Sequence, residues 1–223
     1  MPYISIDGIR KRYGNRIILN GVSLTADPGE CVGILGSNGS GKSTLLRILA
    51  GEIRPEAGHF YAEGADLLKD PAERRALVGY APQGTPLIEE LTALDNLRLW
   101  YGRKLLAASL ADGPLALLGI PEFLRTPVRK MSGGMKKRLS IGCAVAGNPK
   151  ILLLDEPGAS LDLLCKKAME NYFRAFLDSG GTIFMVTHDV QELLFCTRSC
   201  ILKDGVLTPF SFDGNIRHLT EAL

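Results

Sequence analysis

Gly36-Ser37-Asn38-Gly39-Ser40-Gly41-Lys42-Ser43-Thr44 has the form G-x-x-x-x-G-K-[ST]. Gly36, Gly39 and Gly41 free the backbone to wrap closely around a phosphate and to turn its N–H groups inward. Lys42 aims a positive charge at the β- and γ-phosphates, and the Ser43 hydroxyl suits a Mg²⁺ ion. The flanks fit as well. Cys31-Val32-Gly33-Ile34-Leu35 is an apolar run suited to a buried strand, and 43–50 has helical spacing with Gly51 as its stop. The loop therefore joins a strand to a helix whose N-terminus faces the anion. Its plain alternative is a Gly/Ser-rich turn between the same two elements. The loop specifies a nucleoside triphosphate and leaves open what the energy drives.

The whole chain sets bounds. Its 223 residues suit one large or two small domains, and a 46% hydrophobic, 22% charged composition supports a sizeable core. A net charge of +2 gives no electrostatic case for nucleic-acid binding. Two basic clusters, Arg10-Lys11-Arg12 and Lys136-Lys137-Arg138, read first as solvated faces. No apolar run approaches the ~18 residues that span a bilayer. Met1 to Asp7 lacks the basic start and apolar core of a signal peptide. Any membrane link is then expected to run through a partner. Cys31, Cys143, Cys165, Cys196 and Cys200 are odd in number and scattered, which reads as reduced thiols.

Apolar patterning predicts short β segments at 3–6, 17–19 and 22–25, with turns at Gly14-Asn15, Asn20-Gly21 and Pro28-Gly29, and another strand at 59–62. These form an expected antiparallel layer beside the nucleotide core. A mostly helical stretch follows: a helix start at 71–75, a short strand at 77–80, and helices over 92–103, 114–118 and 133–146, the last with Ser132 as N-cap. Then come buried strands at 151–154 and 182–186, a long helix over 161–177 and a helix through Cys196. The alternation predicts an α/β fold with a mainly parallel sheet covered on both faces. Ligands in such sheets sit beyond the carboxyl ends of strands, where the phosphate loop, Asp155-Glu156 and His188 all fall.

Asp155 follows four aliphatic residues, the pattern of the carboxylate that holds Mg²⁺ in phosphate-loop ATPases. Glu156 is next in line to polarise a water for attack on the γ-phosphorus. Two acids after a strand also fit a helix-capping pair. His188 suits a γ-phosphate contact, or equally a capping or surface histidine. Gln83, after Tyr80-Ala81-Pro82, suits a contact to metal or water, though loop filler explains it as well. Met131-Ser132-Gly133-Gly134-Met135 offers a hydroxyl and bare N–H groups at a helix start, a second anion-binding element far along the chain from the first.

Together these motifs resemble, over nearly the full length and in the same order, the nucleotide-binding subunit of an ATP-binding cassette (ABC) transporter. The resemblance implies that Tyr13 stacks on adenine, that Gly36–Thr44 hold the phosphates, and that Gln83 is the Q-loop glutamine, touching metal and water. It makes Ser132-Gly133-Gly134 the signature, Asp155 the metal-holding aspartate, Glu156 the catalytic glutamate, Ser160-Leu161-Asp162 the D-loop and His188 the switch histidine. It implies a phosphate-loop core at 1–82 and 148–223 with a helical subdomain at 83–147. It also implies a head-to-tail dimer with an identical or paralogous cassette, in which Ser132 and Gly134 serve the partner's ATP. An integral membrane permease would dock near Gln83 and Leu91–Trp100, with the cassette on the cytoplasmic face of the membrane.

Met131 and Met135 stand where the family usually has leucine and glutamine, and Ser160 where it prefers glycine. The Met135 change removes a side chain that reaches the partner's ribose. A signature of the Ser-Gly-Gly-Met-Lys type followed by Lys137 and Arg138 is similar to type-2 ABC exporters, which implies ATP-driven export. An importer subunit is a second reading, although the chain ends soon after residue 210 and leaves little room for the C-terminal domain many importers carry. A soluble ABC ATPase of repair or translation is a third. Against it stand one cassette per chain, no zinc spacing and too short a gap between the two anion sites for a long coiled coil. Intact Glu156 and His188 argue against a non-hydrolysing module.

Overall fold

The computed structural model describes residues 3–159, 161–214 and 216–222. Met1, Pro2 and the D-loop departure at Ser160 lie outside the described residues. Among them, two sheets form. The larger has β3 (Cys31–Leu35), β6 (Val78–Ala81), β7 (Ile151–Asp155), β8 (Thr182–Val186), β9 (Arg198–Lys203) and β10 (Val206–Phe210) in the order β10-β9-β3-β8-β7-β6. From β9 to β6 every pairing is parallel, and β10 closes one edge antiparallel. Every residue of β3, β7 and β8 is buried, as unbroken apolar runs require when both faces of a sheet are covered.

Helix α1 (Lys42–Ala50) leaves the phosphate loop and ends at Gly51, whose left-handed φ of 83° lets its N–H turn back to the carbonyls of Arg47 and Ile48. One core cluster fills the space between α1, one face of the large sheet and a four-stranded antiparallel sheet, with Phe60, Leu45 and Phe184 fully buried. That second sheet holds β1 (Ile4–Tyr13), β2 (Arg16–Ala26), β4 (Ala57–Ala62) and β5 (Ala65–Asp66) in the order β2-β1-β4-β5. The other core cluster packs the opposite face of the large sheet against α7 (Leu163–Asp178) and the helices between β6 and β7. The chain closes with α8 (Val190–Phe195) before β9 and α9 (Ile216–Ala222) after β10.

The expected turn at Asn20-Gly21 is instead a kink inside one strand. β2 runs unbroken from Arg16 to Ala26, and its pairing with β1 slips between Ile9↔Val22 and Arg10↔Asn20. Gly21 sits there at φ 83°, so the glycine makes a bulge and not a reversal. The helix expected over 92–103 also divides. α3 (Ala93–Arg98) stops, Tyr101 turns inward to donate its hydroxyl to Gly142 O at 2.9 Å, and Gly102 adopts extended backbone to open α4 (Arg103–Asp112). α2 (Pro71–Leu77), α5 (Pro114–Leu117) and α6 (Gly133–Ala144) lie where the patterning put them. Ser132 caps α6 by accepting from Met135 N at 3.2 Å.

The basic clusters are not simple solvated faces. Lys11 Nζ donates to Arg54 O at 2.9 Å and lies 5.3 Å from the Tyr13 ring centroid. Lys136 pairs with Glu89 at 3.1 Å, Lys137 is buried, and Arg138 covers the Phe123 ring at 4.9 Å. Phe184, in the middle of the central strand β8, is a test of the core: Phe184→Ala is expected to cost about 3–5 kcal/mol. Urea denaturation checks this as a lower midpoint with an unchanged slope.

Candidate functional site

Parallel register builds the site. Ala81 pairs with Leu154, so Gln83 and Glu156, each two residues further on, leave the sheet side by side. Asp155 pairs with Val186, Glu156 N donates to Val186 O at 2.9 Å, and His188 follows two residues later. Ile34 pairs with Val186, which sets the start of the phosphate loop beside the same strand end. Four adjacent strands, and not the three read from the sequence, thus deliver side chains to one crevice. The fourth is β6, which carries Gln83.

In the loop, Gly36 and Gly41 are required by space as well as by φ. A Cβ on Gly36 (φ 154°) would lie 2.5 Å from Leu202 O, and one on Gly41 (φ 109°) 2.8 Å from the Ile18 side chain. Lys42 is buried, and its Nζ donates to Gly36 O at 2.6 Å and Ser37 O at 3.0 Å, which holds it across the loop. Burial lowers its pKa, and the charges of Glu156 and Asp155 oppose that shift. A cavity of about 390 Å³ opens over the loop, lined by Asn38, Gly39, Lys42, Ser43, Thr44 and, from across the crevice, Gln83 and Glu156. A neighbouring recess is bounded by Ser37, Ser40 and, from β2, Arg16.

Glu156 is the hub. Gln83 Nε2 donates to its Oε2 at 2.8 Å, and His188 Nε2 stands 3.6 Å from its Oε1. Its backbone is left-handed, at φ 49°. Burial first and the Lys42 charge second lower the His188 pKa below its ordinary 6.5, while Glu156 pulls the other way. The lowering favours the neutral ring. Asp155 is only 3% exposed, and burial pushes its pKa up against a hydrogen bond from Ser43. Its Oδ1 is buried without a hydrogen-bond partner. A hydroxyl beside a carboxylate with one unmatched buried oxygen is the donor set a hard divalent cation takes.

Not every sequence-selected residue reaches the crevice. Tyr13 ends β1, half exposed, and does not line either cavity; one ring face is turned to Lys11. Ser132 and Gly134 also lie outside both cavities. Gly134 is buried, and a Cβ there would meet Cys165 Sγ of α7 at 2.3 Å, so close helix packing demands this glycine in addition to any anion contact. Sequence reading missed the network that holds His188. Thr187 donates its hydroxyl to Glu192, Lys166 pairs with Asp189, and Asp189 N donates to Thr187 Oγ1 at 2.9 Å. The signal for Glu192 was its place one helical turn after His188; Lys166 had none.

The family model described as "ABC transporter" matches residues 19–159. The chain is similar to the "Nod factor export ATP-binding protein I" of Ralstonia nicotianae, at 35% identity over 213 residues, covering 92% of this chain and 65% of that protein. It is similar to the protein of that name from Rhizobium leguminosarum bv. viciae at 36% identity, with 91% and 67% covered. It thus spans about two thirds of the length of these relatives. Among solved structures it is similar to an ATP-binding subunit of an ABC transporter (26% identity, TM-score 0.84, 98% and 93% covered). It is also similar to a dimeric ATP-binding cassette in a post-hydrolysis state bound to ADP and Pi (29% identity, TM-score 0.79, 94% and 100% covered). The chain belongs to the ABC transporter family, as one of its ATP-binding cassettes.

Proposed function

We propose that the chain binds and hydrolyses ATP as one half of a cassette dimer and drives export through a membrane-spanning permease. The observation that carries this reading is the meeting of Gln83 and His188 on the Glu156 carboxylate beside the phosphate loop. The phosphates lie along the N–H groups of 36–44 and the Lys42 ammonium, and Tyr13 takes the adenine on the ring face away from Lys11. Ser43, Asp155 and Gln83 would hold Mg²⁺, which supplies charge neutralisation on the β- and γ-phosphates. Glu156 accepts the proton of the attacking water, Gln83 fixes the orientation of that carboxylate, and neutral His188 donates to the γ-phosphate.

Ser132 and Gly134 serve the ATP of the opposite cassette, which is either a second copy or a paralogue. Their position outside the cavity over the chain's own phosphate loop supports this, as does the dimeric state of a similar cassette. In this reading 1–82 and 148–223 form the ATP-binding core, and 83–147 is the helical subdomain that carries the signature. The permease docks on the groove of about 510 Å³ between them, lined by Arg74 and Tyr80 of the core and by Leu87, Cys143 and Trp100, 65% exposed, of the subdomain. Among the described residues no helix is long and apolar enough to cross a membrane. In this reading the permease holds the cassette at the cytoplasmic face of the membrane. Export, and not import, follows the names of the similar proteins.

Glu156→Gln should lower ATP hydrolysis on the order of 10²-fold, about 3 kcal/mol of transition-state stabilisation, and should trap an ATP-bound dimer in gel filtration. Hydrolysis at the parent rate contradicts a water-activating role for Glu156. Ser132→Arg is expected to abolish ATP-dependent dimerisation while nucleotide affinity of the monomer is retained; equal loss of both contradicts the in-trans assignment. In ligand-free protein, NMR titration should find His188 below 6.5. Lys42→Met should raise that pKa, because it removes one lowering charge while Glu156 stays, and Glu156→Gln should lower it further.

A further inference from the structure

Lys137, in the middle turn of α6, is 5% exposed, yet among the described residues no carboxylate lies within ion-pair distance of it. A buried ammonium without a direct counter-ion is costly unless each of its three donors is matched. Here each is. Nζ donates to Pro82 O at 2.8 Å, to Asp155 O at 3.2 Å and to Gln83 O at 3.3 Å. Asp155, Glu156 and Glu192 add attraction from further away. Its sequence neighbours do other work: Lys136 pairs outward with Glu89, and Arg138 lies on Phe123 and donates to Leu118 O at 3.2 Å.

The three carbonyls belong to two chain segments that both enter the crevice. Pro82 and Gln83 leave β6, and Asp155 ends β7. The same two segments meet again at the side-chain level through Gln83 Nε2 and Glu156 Oε2. Lys137 itself rides on the helix whose N-terminus carries Ser132 and Gly134. We propose that Lys137 is a positioning residue: one ammonium ties the Gln83 and Asp155 backbones to α6, so that the helix bearing the signature sets where Gln83 and the hydrolytic carboxylate stand. The proposal rests on the ATP-hydrolysing function proposed for this crevice. Under it, a nucleotide engaged at Ser132 and Gly134 by a partner cassette is coupled to Glu156 through these charge-assisted hydrogen bonds.

Lys137→Met removes every donor at nearly equal length, and Lys137→Gln keeps an amide with two. With the full chain, kcat and KM for ATP, half-saturating Mg²⁺, metal-free affinity for a fluorescent ATP analogue, and melting temperature would be measured for both. Lys137→Met should lose kcat on the order of 10²-fold, the size of loss that a roughly 1 Å misplacement of catalytic groups produces. It should also need more Mg²⁺, while metal-free nucleotide affinity stays within about threefold, since the phosphate loop makes none of these contacts. Lys137→Gln should recover part of kcat, and combining either with Gln83→Ala should cost less than the sum of the two losses. The proposal is overturned if folded Lys137→Met or Lys137→Gln turns over within twofold of the parent, or if both lose nucleotide affinity and kcat in proportion to a fall in melting temperature. Should Lys137→Met fail to fold, Lys137→Gln decides on the same criteria. Glu156→Gln run alongside separates the two ideas: parent-like hydrolysis there removes the hydrolytic reading of the crevice, whatever the Lys137 variants do.

Discussion

Hydrogen-bond register along β3, β8, β7 and β6 is the constraint on which the crevice depends. Parallel strands that start in step also end in step, so residues one or two positions past the strand ends arrive at a common level. Glu156, Gln83 and His188 come from segments widely separated in sequence, and the sheet brings them close around one carboxylate. That register is itself held by burial on both faces, because a slip of one residue would turn each apolar strand inside out relative to the two cores. The helices and the antiparallel sheet stabilise the ladder by covering it; the ladder sets the geometry of the site.

Charge follows the same plan. Asp155 and Glu156 are adjacent acids in a poorly hydrated setting, and two ammonium groups, Lys42 and Lys137, are buried near them. Both lysines spend their hydrogens on main-chain carbonyls and not on the carboxylates. The acids are thus attracted by fixed positive charge without being tied up by it, and Glu156 keeps its oxygens for Gln83 and for the crevice. Direct ion pairs would occupy some of a carboxylate's lone pairs and lower its basicity; matching the ammonium charge to carbonyl dipoles avoids both.

Local signals made much of this readable in the sequence. The phosphate loop, the Ser132 cap and the apolar runs of β3, β7 and β8 each depend on a few contiguous residues whose physics is nearly context-free. What escaped depends on context. Gly21 reads as a turn until a partner strand exists to continue past it, when the same left-handed φ becomes a bulge. The break before Gly102 depends on the Gly142 carbonyl, which receives the Tyr101 hydroxyl. α4, β9 and β10 had no pattern strong enough to declare themselves. Gln83, without the family resemblance, reads as filler because its value comes from β6 lying beside β7. Lys137 read as one of three surface cations, since nothing in Lys136-Lys137-Arg138 says which of them turns inward. Gly134 was read for its bare N–H, whereas the structure adds that α6 and α7 approach too closely for a methyl group.

The left-handed backbone of Glu156 reaches further than aiming a carboxylate. A glutamate at φ 49° costs roughly 1–3 kcal/mol compared with ordinary backbone, and glycine or asparagine would relieve it. Under the hydrolytic role proposed for Glu156, folding and turnover make opposite demands on a single position. A lineage released from the need to hydrolyse would gain stability by abandoning this residue first, so loss of activity in such a cassette would be favoured and not merely tolerated.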